Sequence, residues 1–193
     1  MSAFPYSGKS AGFCTSADIS PHLREAPRND IVRLRVVLLH AEDGERKDSV
    51  EIGDLAGIEM EYGVLQPGHV LVPAYHFLNE EGIYAFVSSD LDPAWWGKPR
   101  SVGRYVSATW IPGNFLSEGT LIVGAAVATM DPVRVHFYER DGIAFQVIDS
   151  LDGDSARGGF AGSMPGVVRP LLKWTTRPVS NDITNDTLGR KGS

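Results

Sequence analysis

The chain has 193 residues, 42% of them hydrophobic, which is enough to bury the core of one domain. Its net charge of −6 argues against a nucleic-acid partner, because phosphate neutralisation requires clustered Lys and Arg. No apolar stretch approaches the ~20 residues of a membrane-spanning helix, and residues 1–20 lack the features of a signal peptide. We therefore expect a cytoplasmic protein without direct membrane insertion.

Residues 1–29 are rich in Ser, Gly, Pro and Ala and show no period of 2 or 3.6. We interpret this segment as a flexible N-terminal lead or linker. Gly8, Lys9 and Ser10 complete a relaxed P-loop pattern, but a P-loop joins a buried strand to the start of a helix. Neither element is indicated here, so we predict that the segment does not bind or hydrolyse ATP.

Segments with strand periodicity follow. In the first, Val32, Leu34 and Val36 alternate with Arg33 and Arg35, the pattern of a half-buried strand. Further strands are predicted at about 58–64, 70–78, 83–89, 104–110, 120–129, 133–138, 143–149 and 167–176. The run 139–142 predicts a tight hairpin between two of them. Together these predict an all-β, antiparallel, immunoglobulin-like β-sandwich of about eight or nine strands over residues 30–177, with a polar tail at 178–193.

Several of these segments resemble one known family when they are taken in order. The run 103–125 joins two apolar strands through a connection that contains Pro112, Gly113, Asn114 and Gly119. The run 166–174 closes with Gly-Val-Val-Arg-Pro-x-x-x-Trp. With the segments 33–39, 58–62, 74–84 and 145–149, they resemble the C-terminal domain of Wzt, the ATPase subunit of ABC exporters of O-antigen polysaccharide.

The resemblance implies a non-catalytic domain that recognises an exported polysaccharide at the inner face of a bacterial inner membrane. It also implies that ATP hydrolysis and transport belong to other domains or chains. We recognise no ATPase domain in the sequence, so we expect either an excised domain or a stand-alone relative. The resemblance also implies partners: an O-antigen-like glycan, the ATPase and membrane subunits of the exporter, and a second copy of the chain. The homodimer would pair through the C-terminal strand at 167–174, an apolar edge that otherwise invites uncontrolled pairing.

Tryptophans provide the first candidate binding residues. Trp95 and Trp96 lie in a loop marked by Pro and Gly, where burying two adjacent indoles is difficult. Flat aromatic faces stack on the C–H faces of sugars, so we predict that both contact a glycan. An equally weighted alternative is that they cap the sandwich or form a dimer contact. Trp110 and Trp174 lie in or beside predicted strands, and we expect them to pack in the core.

An open sheet face provides the other candidates. If Tyr75 and Phe77 point inward, His76 points outward by alternation. We predict that His76, Tyr84 and Arg104 contribute to a glycan site together with the Trp pair.

No catalytic, metal or cofactor set is recognisable. The five histidines, at 22, 40, 69, 76 and 136, have no ligand-like spacing, and Cys14 is the one cysteine. The aspartates at 149, 152 and 154 fit a solvated loop better than an incomplete calcium loop. Asp90 with Asp92 and Glu139 with Asp141 are most simply turn residues. We therefore expect no enzyme. The alternatives are an interaction or scaffold module without a sugar ligand and, third, a carbohydrate-active enzyme.

Overall fold

The computed structural model describes residues 29–178, and within that range the chain forms eight β-strands and no helix. The strands are β1 (Val32–His40), β2 (Ser49–Glu51), β3 (Ala56–Val64), β4 (Val72–Asn79), β5 (Tyr84–Ser89), β6 (Gly103–Ile111), β7 (Gly119–Met130) and β8 (Val133–Ile148). Three strands form one sheet in the order β1-β3-β6, and five form the other in the order β2-β8-β7-β4-β5. Neighbours are antiparallel except the short β2, which runs parallel to β8. The predicted all-β sandwich is confirmed.

The core lies between the two sheets and follows from period-2 alternation. In β3, the fully buried Ile58, Met60 and Tyr62 alternate with Glu59 and Glu61, which project outward. The five-stranded sheet contributes its own buried row, which includes Phe77, Val123 and Val127. The outer faces of both sheets are therefore open to carry a binding site.

The predicted hairpin at 139–142 is wrong. These residues lie inside β8, where the register shifts opposite Gly124, so that the segment forms a bulge in one continuous 16-residue strand. Glycine makes the bulge possible: a Cβ at Gly124 would lie 2.9 Å from the carbonyl oxygen of Arg140, and one at Gly142 would lie 3.0 Å from that of Val123. Gly142 thus provides space for a neighbouring backbone and does not form a turn.

The strand predicted at 167–176 is also absent, and an irregular segment takes its place. The segment is held by a single bridge between Leu116 and Val168 and by backbone bonds from Arg169 N to Phe115 O (2.9 Å) and from Leu171 N to Asn114 O (2.9 Å). These partners belong to the β6–β7 connection, which is itself irregular, so no extended ladder forms. Beyond this contact the apolar side chains are exposed, among them Leu171, Leu172 and Trp174.

The terminal segments 1–28 and 179–193 lie outside the described residues, and with them the P-loop-like run and nearly all of the predicted tail. Within residues 29–178, no helix is long and apolar enough to cross a membrane.

Candidate functional site

Trp95 and Trp96 lie on a tight turn between β5 and β6. Asp92 organises the turn: its carboxylate accepts a hydrogen bond from Ala94 N (2.9 Å), and its carbonyl accepts from the amides of both tryptophans (2.9 and 2.8 Å). Gly97 follows with a φ of +70°, a left-handed conformation that glycine adopts without strain. The turn presents both indoles on the surface, with Trp95 41% and Trp96 50% exposed.

The two indoles differ in what lies beneath them. Trp95 packs edge-on against the Tyr105 ring, with centroids 5.5 Å apart, and the Arg100 guanidinium lies 5.4 Å from the Trp95 ring centroid. Trp96 makes no ring or cation–π contact with residues 29–178. Trp95 is therefore partly structural, whereas Trp96 is available for a ligand.

Arg100 anchors this turn to the sandwich. Its side chain is only 2% exposed, and its guanidinium also lies over the Tyr62 and Tyr105 rings at 5.8 and 5.7 Å. It donates to the carbonyl oxygen of Leu71 and lies 3.5 Å from the Asp90 carboxylate. Arg100 could not be predicted from the sequence, because an arginine beside Pro99 in a loop carries no signal of burial.

A second group of exposed aromatics, which we call the outer-face cluster, consists of His76, Tyr84 and Tyr138 on the outer face of the five-stranded sheet. The Tyr138 and Tyr84 ring centroids lie 4.8 and 5.9 Å from that of His76. The two hydroxyl oxygens lie 3.3 Å apart. Because Tyr84 is on β5 and Tyr138 on β8, the tyrosines meet across the two strands between them, β4 and β7.

Gly124 allows this arrangement. It lies directly opposite His76 in the ladder, and a Cβ there would approach the Tyr138 ring to 3.1 Å. The ring therefore rests on bare backbone of β7. Ala126 and Ala128 lie on the same outer face of β7. The surface of β7 beside the cluster is therefore formed by small side chains.

Two members of the cluster, His76 and Tyr138, are uncharged near neutral pH. Burial lowers the pKa of His76 below its ordinary 6.5. Burial, and then the hydrogen bond with Tyr84, raises the pKa of Tyr138 to about 12. His76 Nδ1 is buried and has no hydrogen-bond partner within residues 29–178. The cluster thus combines ring faces with neutral groups that donate or accept hydrogen bonds.

Arg104 lies elsewhere. It is on the outer face of the three-stranded sheet, where its Nε and Nη2 lie 2.8 and 2.6 Å from Oε1 of Glu61. Arg35 Nε lies 2.8 Å from the same oxygen. Tyr105, the next residue on β6, faces the opposite way and contacts Trp95. The structure therefore brings His76 and Tyr84 together and keeps Arg104 apart from both the outer-face cluster and the Trp pair.

Two expectations about tryptophans are wrong, and one useful residue was missed. Trp110 packs on the outer face of the three-stranded sheet over Gly57, where a Cβ would lie 2.6 Å from its ring, and not in the core. Trp174 is 87% exposed. Tyr138 was not a candidate, although its alternation with the buried Phe137 would have placed it on the open face.

Within residues 29–178, no group of three or more His, Cys, Asp or Glu side chains is placed to hold a metal ion. The outer-face cluster and the Trp pair consist of aromatic side chains and contain no carboxylate.

These features define a two-sheet β-sandwich with aromatic surfaces, and comparison with known proteins gives its structural relatives. No family model matches the sequence, and no curated protein matches it. Among solved structures, the chain is similar to the C-terminal domain of Wzt, with 13% identity and a TM-score of 0.60 over 78% of this chain and 86% of that one. The earlier resemblance is thereby confirmed at the level of the fold.

A second solved structure superposes more loosely. It is the CARDB domain of a Pyrococcus furiosus protein, solved in complex with di-metal ions. The identity is 12%, the coverage is 72% of this chain and 99% of that one, and the TM-score of 0.37 is too low to define a shared fold.

Proposed function

We propose that this chain is a non-catalytic glycan-recognition domain. The observation that carries the proposal is the outer-face cluster, in which two exposed tyrosines converge over His76, whose buried Nδ1 lacks a partner within residues 29–178. Aromatic faces cover the C–H faces of a sugar ring, while the two tyrosine hydroxyls bond its hydroxyls. Trp96 supplies a further exposed ring, and Trp95 supports it.

The biological setting is proposed from the resemblance to the Wzt C-terminal domain. In that setting the ligand is an O-antigen-like polysaccharide, and the domain couples its recognition to an ABC exporter at the cytoplasmic face of the inner membrane. ATP hydrolysis belongs to other parts of the exporter. Arg104 has the weakest case of the candidate residues, because its guanidinium is engaged by Glu61.

A second candidate function is a protein-interaction module without a sugar ligand. It is favoured by Val87 and Val135, which are 52% and 60% exposed on the same outer face as the cluster. Such a surface is suited to an apolar partner. The two functions differ in which residues matter: a glycan needs the rings and hydroxyls, whereas an apolar partner needs the valines.

A glycan-array screen followed by titration of the best polysaccharide tests the proposal. We expect Tyr138→Ala and Trp96→Ala each to weaken binding roughly five- to tenfold, because a lost aromatic contact costs ~1 kcal/mol. The melting temperature should change little, since both side chains are more than a third exposed. Val106→Ala, on the outer face of the other sheet and 55% exposed, is the control and should bind as the unmodified protein does. If the unmodified protein binds no glycan on the array, the glycan proposal fails and the interaction module is favoured.

We also propose that the chain forms a homodimer through its C-terminal segment. Leu171, Leu172 and Trp174 are 52%, 62% and 87% exposed, which is unusual for three apolar side chains so close in sequence. Light scattering at micromolar concentration should give twice the monomer mass, and a Leu172→Asp, Trp174→Asp double variant should give the monomer. A monomer mass for the unmodified chain would contradict this proposal and leave glycan recognition untouched.

A further inference from the structure

A cleft of about 170 Å³ opens between the two sheets where their edge strands, β5 and β6, face each other. It lies apart from the outer-face cluster, because Tyr75, Ser88 and Thr109 in its lining face inward, between the sheets. Tyr75 lies on its floor and joins the two sheets: its hydroxyl donates to the carbonyl oxygen of Ser107 at 2.6 Å. Burial raises the pKa of Tyr75 well above its usual value, so this hydroxyl stays protonated.

Three inward-facing positions in the cleft carry hydroxyl side chains, whereas inward positions in the rest of the core are apolar. Ser88 pairs with the buried Tyr75, while Ser107 and Thr109 pair with the buried Met60 and Ile58. Because directly opposite residues share a face, all three hydroxyl side chains point inward, where a sandwich normally has apolar residues. Local exceptions of this kind are expected at functional sites.

These hydroxyls are also short of partners. Ser88 and Thr109 make no side-chain hydrogen bond with any residue in the described range 29–178, and both are half-buried. Ser107 Oγ has only a long contact, 3.5 Å, with the Tyr62 hydroxyl. The hydroxyls of Ser88 and Thr109 are therefore available to accept or donate a hydrogen bond to a ligand in the cleft.

Charge and size narrow the class of ligand. The Asp90 carboxylate at the rim is balanced by Arg100, 3.5 Å away, and Arg100 itself is 2% exposed and cannot reach a ligand. Because the charges of Asp90 and Arg100 offset each other, the cleft favours a neutral ligand. Because the Asp90 carboxylate accepts hydrogen bonds, the ligand should donate them. A cavity of roughly 150 Å³ accommodates one six-membered ring. Pro73, Leu91 and Ala108 add apolar wall to the hydroxyls and the carboxylate.

We propose that this cleft binds a single neutral pyranose ring, with Ser88, Thr109 and Asp90 as its hydrogen-bond partners. This inference rests on the proposed glycan function and adds to it a pocket for one sugar unit, separate from the stacking surfaces. The bound ring would insert between the sheets, whereas the outer-face cluster and Trp96 contact a chain lying on the surface.

The test is an NMR titration of the full chain with the methyl glycosides of glucose, galactose, mannose and N-acetylglucosamine, with sialic acid as an anionic comparison. We expect at least one neutral glycoside to shift the backbone amides of Ser88, Ser89 and Thr109. Thr109→Val removes one hydroxyl at nearly constant shape and should weaken that binding about tenfold. Ser88→Val fills the cleft with an apolar side chain and should abolish binding while keeping or raising the melting temperature.

Two controls separate this proposal from the one on which it rests. Thr120→Val removes a hydroxyl that accepts from Gln146 on another strand pair, and it should not affect glycoside binding. Tyr138→Ala should weaken polysaccharide binding but leave the glycoside shifts at Ser88 and Thr109 intact. If no glycoside shifts these amides while Tyr138→Ala still weakens polysaccharide binding, the cleft proposal is overturned and glycan recognition stands. If neither ligand binds, both proposals fail.

Discussion

Replacing Arg100 with alanine is expected to lower the free energy of unfolding by about 3–5 kcal/mol, the usual cost of breaking a buried charge pair. The side chain is 2% exposed, and its guanidinium lies within 6 Å of the centroids of Tyr62, Trp95 and Tyr105. Removing it leaves a cavity between these rings and deprives the Leu71 carbonyl and the Asp90 carboxylate of a charged donor.

Urea unfolding monitored by tryptophan fluorescence measures this effect. Arg104→Ala is the matched control, because that guanidinium is half-exposed and its pairing with Glu61 is a surface interaction worth at most about 1 kcal/mol. Arg100→Met should fall between the two, since it fills much of the volume without the charge. A change of less than 1 kcal/mol in Arg100→Ala would show that Arg100 does not anchor the turn.

The same substitution separates the roles of the two loop tryptophans. Trp95 rests on Arg100 and Tyr105, so Arg100→Ala should shift its fluorescence to longer wavelength as the indole becomes hydrated. Trp96 makes no such contact within residues 29–178 and should keep its environment. Trp95 and Trp96 are adjacent tryptophans, yet only Trp95 contacts the buried Arg100, and this contact gives the two residues different roles.

Alternation along the chain was sufficient to predict most strands. In β3 and β4, buried and outward residues alternate regularly enough that Ile58 and His76 could be assigned to faces from the sequence alone. Where the backbone departs from regular pairing, the pattern fails. The run at 139–142 has the composition of a turn, but the space left by Gly124 lets β8 bulge and continue.

The candidate site was only partly predictable, for a related reason. Period-2 alternation predicts which face of its sheet a residue lies on, but it does not predict which strands are neighbours in the sheet. Tyr84 and Tyr138 are 54 residues apart and meet because β7 and β4 lie between their strands with a glycine at the crossing. The inward hydroxyls of Ser88 and Thr109 were likewise hidden, because only the register shows that they oppose core residues.

Replacing Glu118 is expected to cause the second large loss of stability, because Glu118 holds the C-terminal segment. Its two carboxylate oxygens bind two nearly buried arginines: Oε1 lies 2.9 Å from Nη2 of Arg157, and Oε2 accepts from Nη1 of Arg169. Both guanidiniums also donate to carbonyl oxygens of their own segment, those of Gly162 and Met164. One glutamate in the β6–β7 connection thus holds the chain that follows β8 against the sandwich.

Glu118→Ala is therefore expected to cost about 3 kcal/mol of unfolding free energy, because it leaves two buried positive charges beside each other without a counter-charge. Glu118→Gln retains an acceptor and should cost less. Glu45→Ala is the control: Glu45 pairs with Lys47 at 2.5 Å, but the two side chains are 64% and 40% exposed, so its loss should change stability by less than 1 kcal/mol.

Limited trypsin digestion gives a local readout of the same change. Trypsin can cut after Arg157, which Gly158 follows, but not after Arg169, which Pro170 follows. The Arg157 side chain is only 9% exposed, so this site is protected while Glu118 holds it. In Glu118→Ala the segment should open locally and be cut after Arg157 faster than in Glu45→Ala, by roughly tenfold for each 1.4 kcal/mol of lost local stability. Equal cleavage rates in the two variants would mean that the backbone bonds to Asn114 and Phe115 suffice to hold the segment.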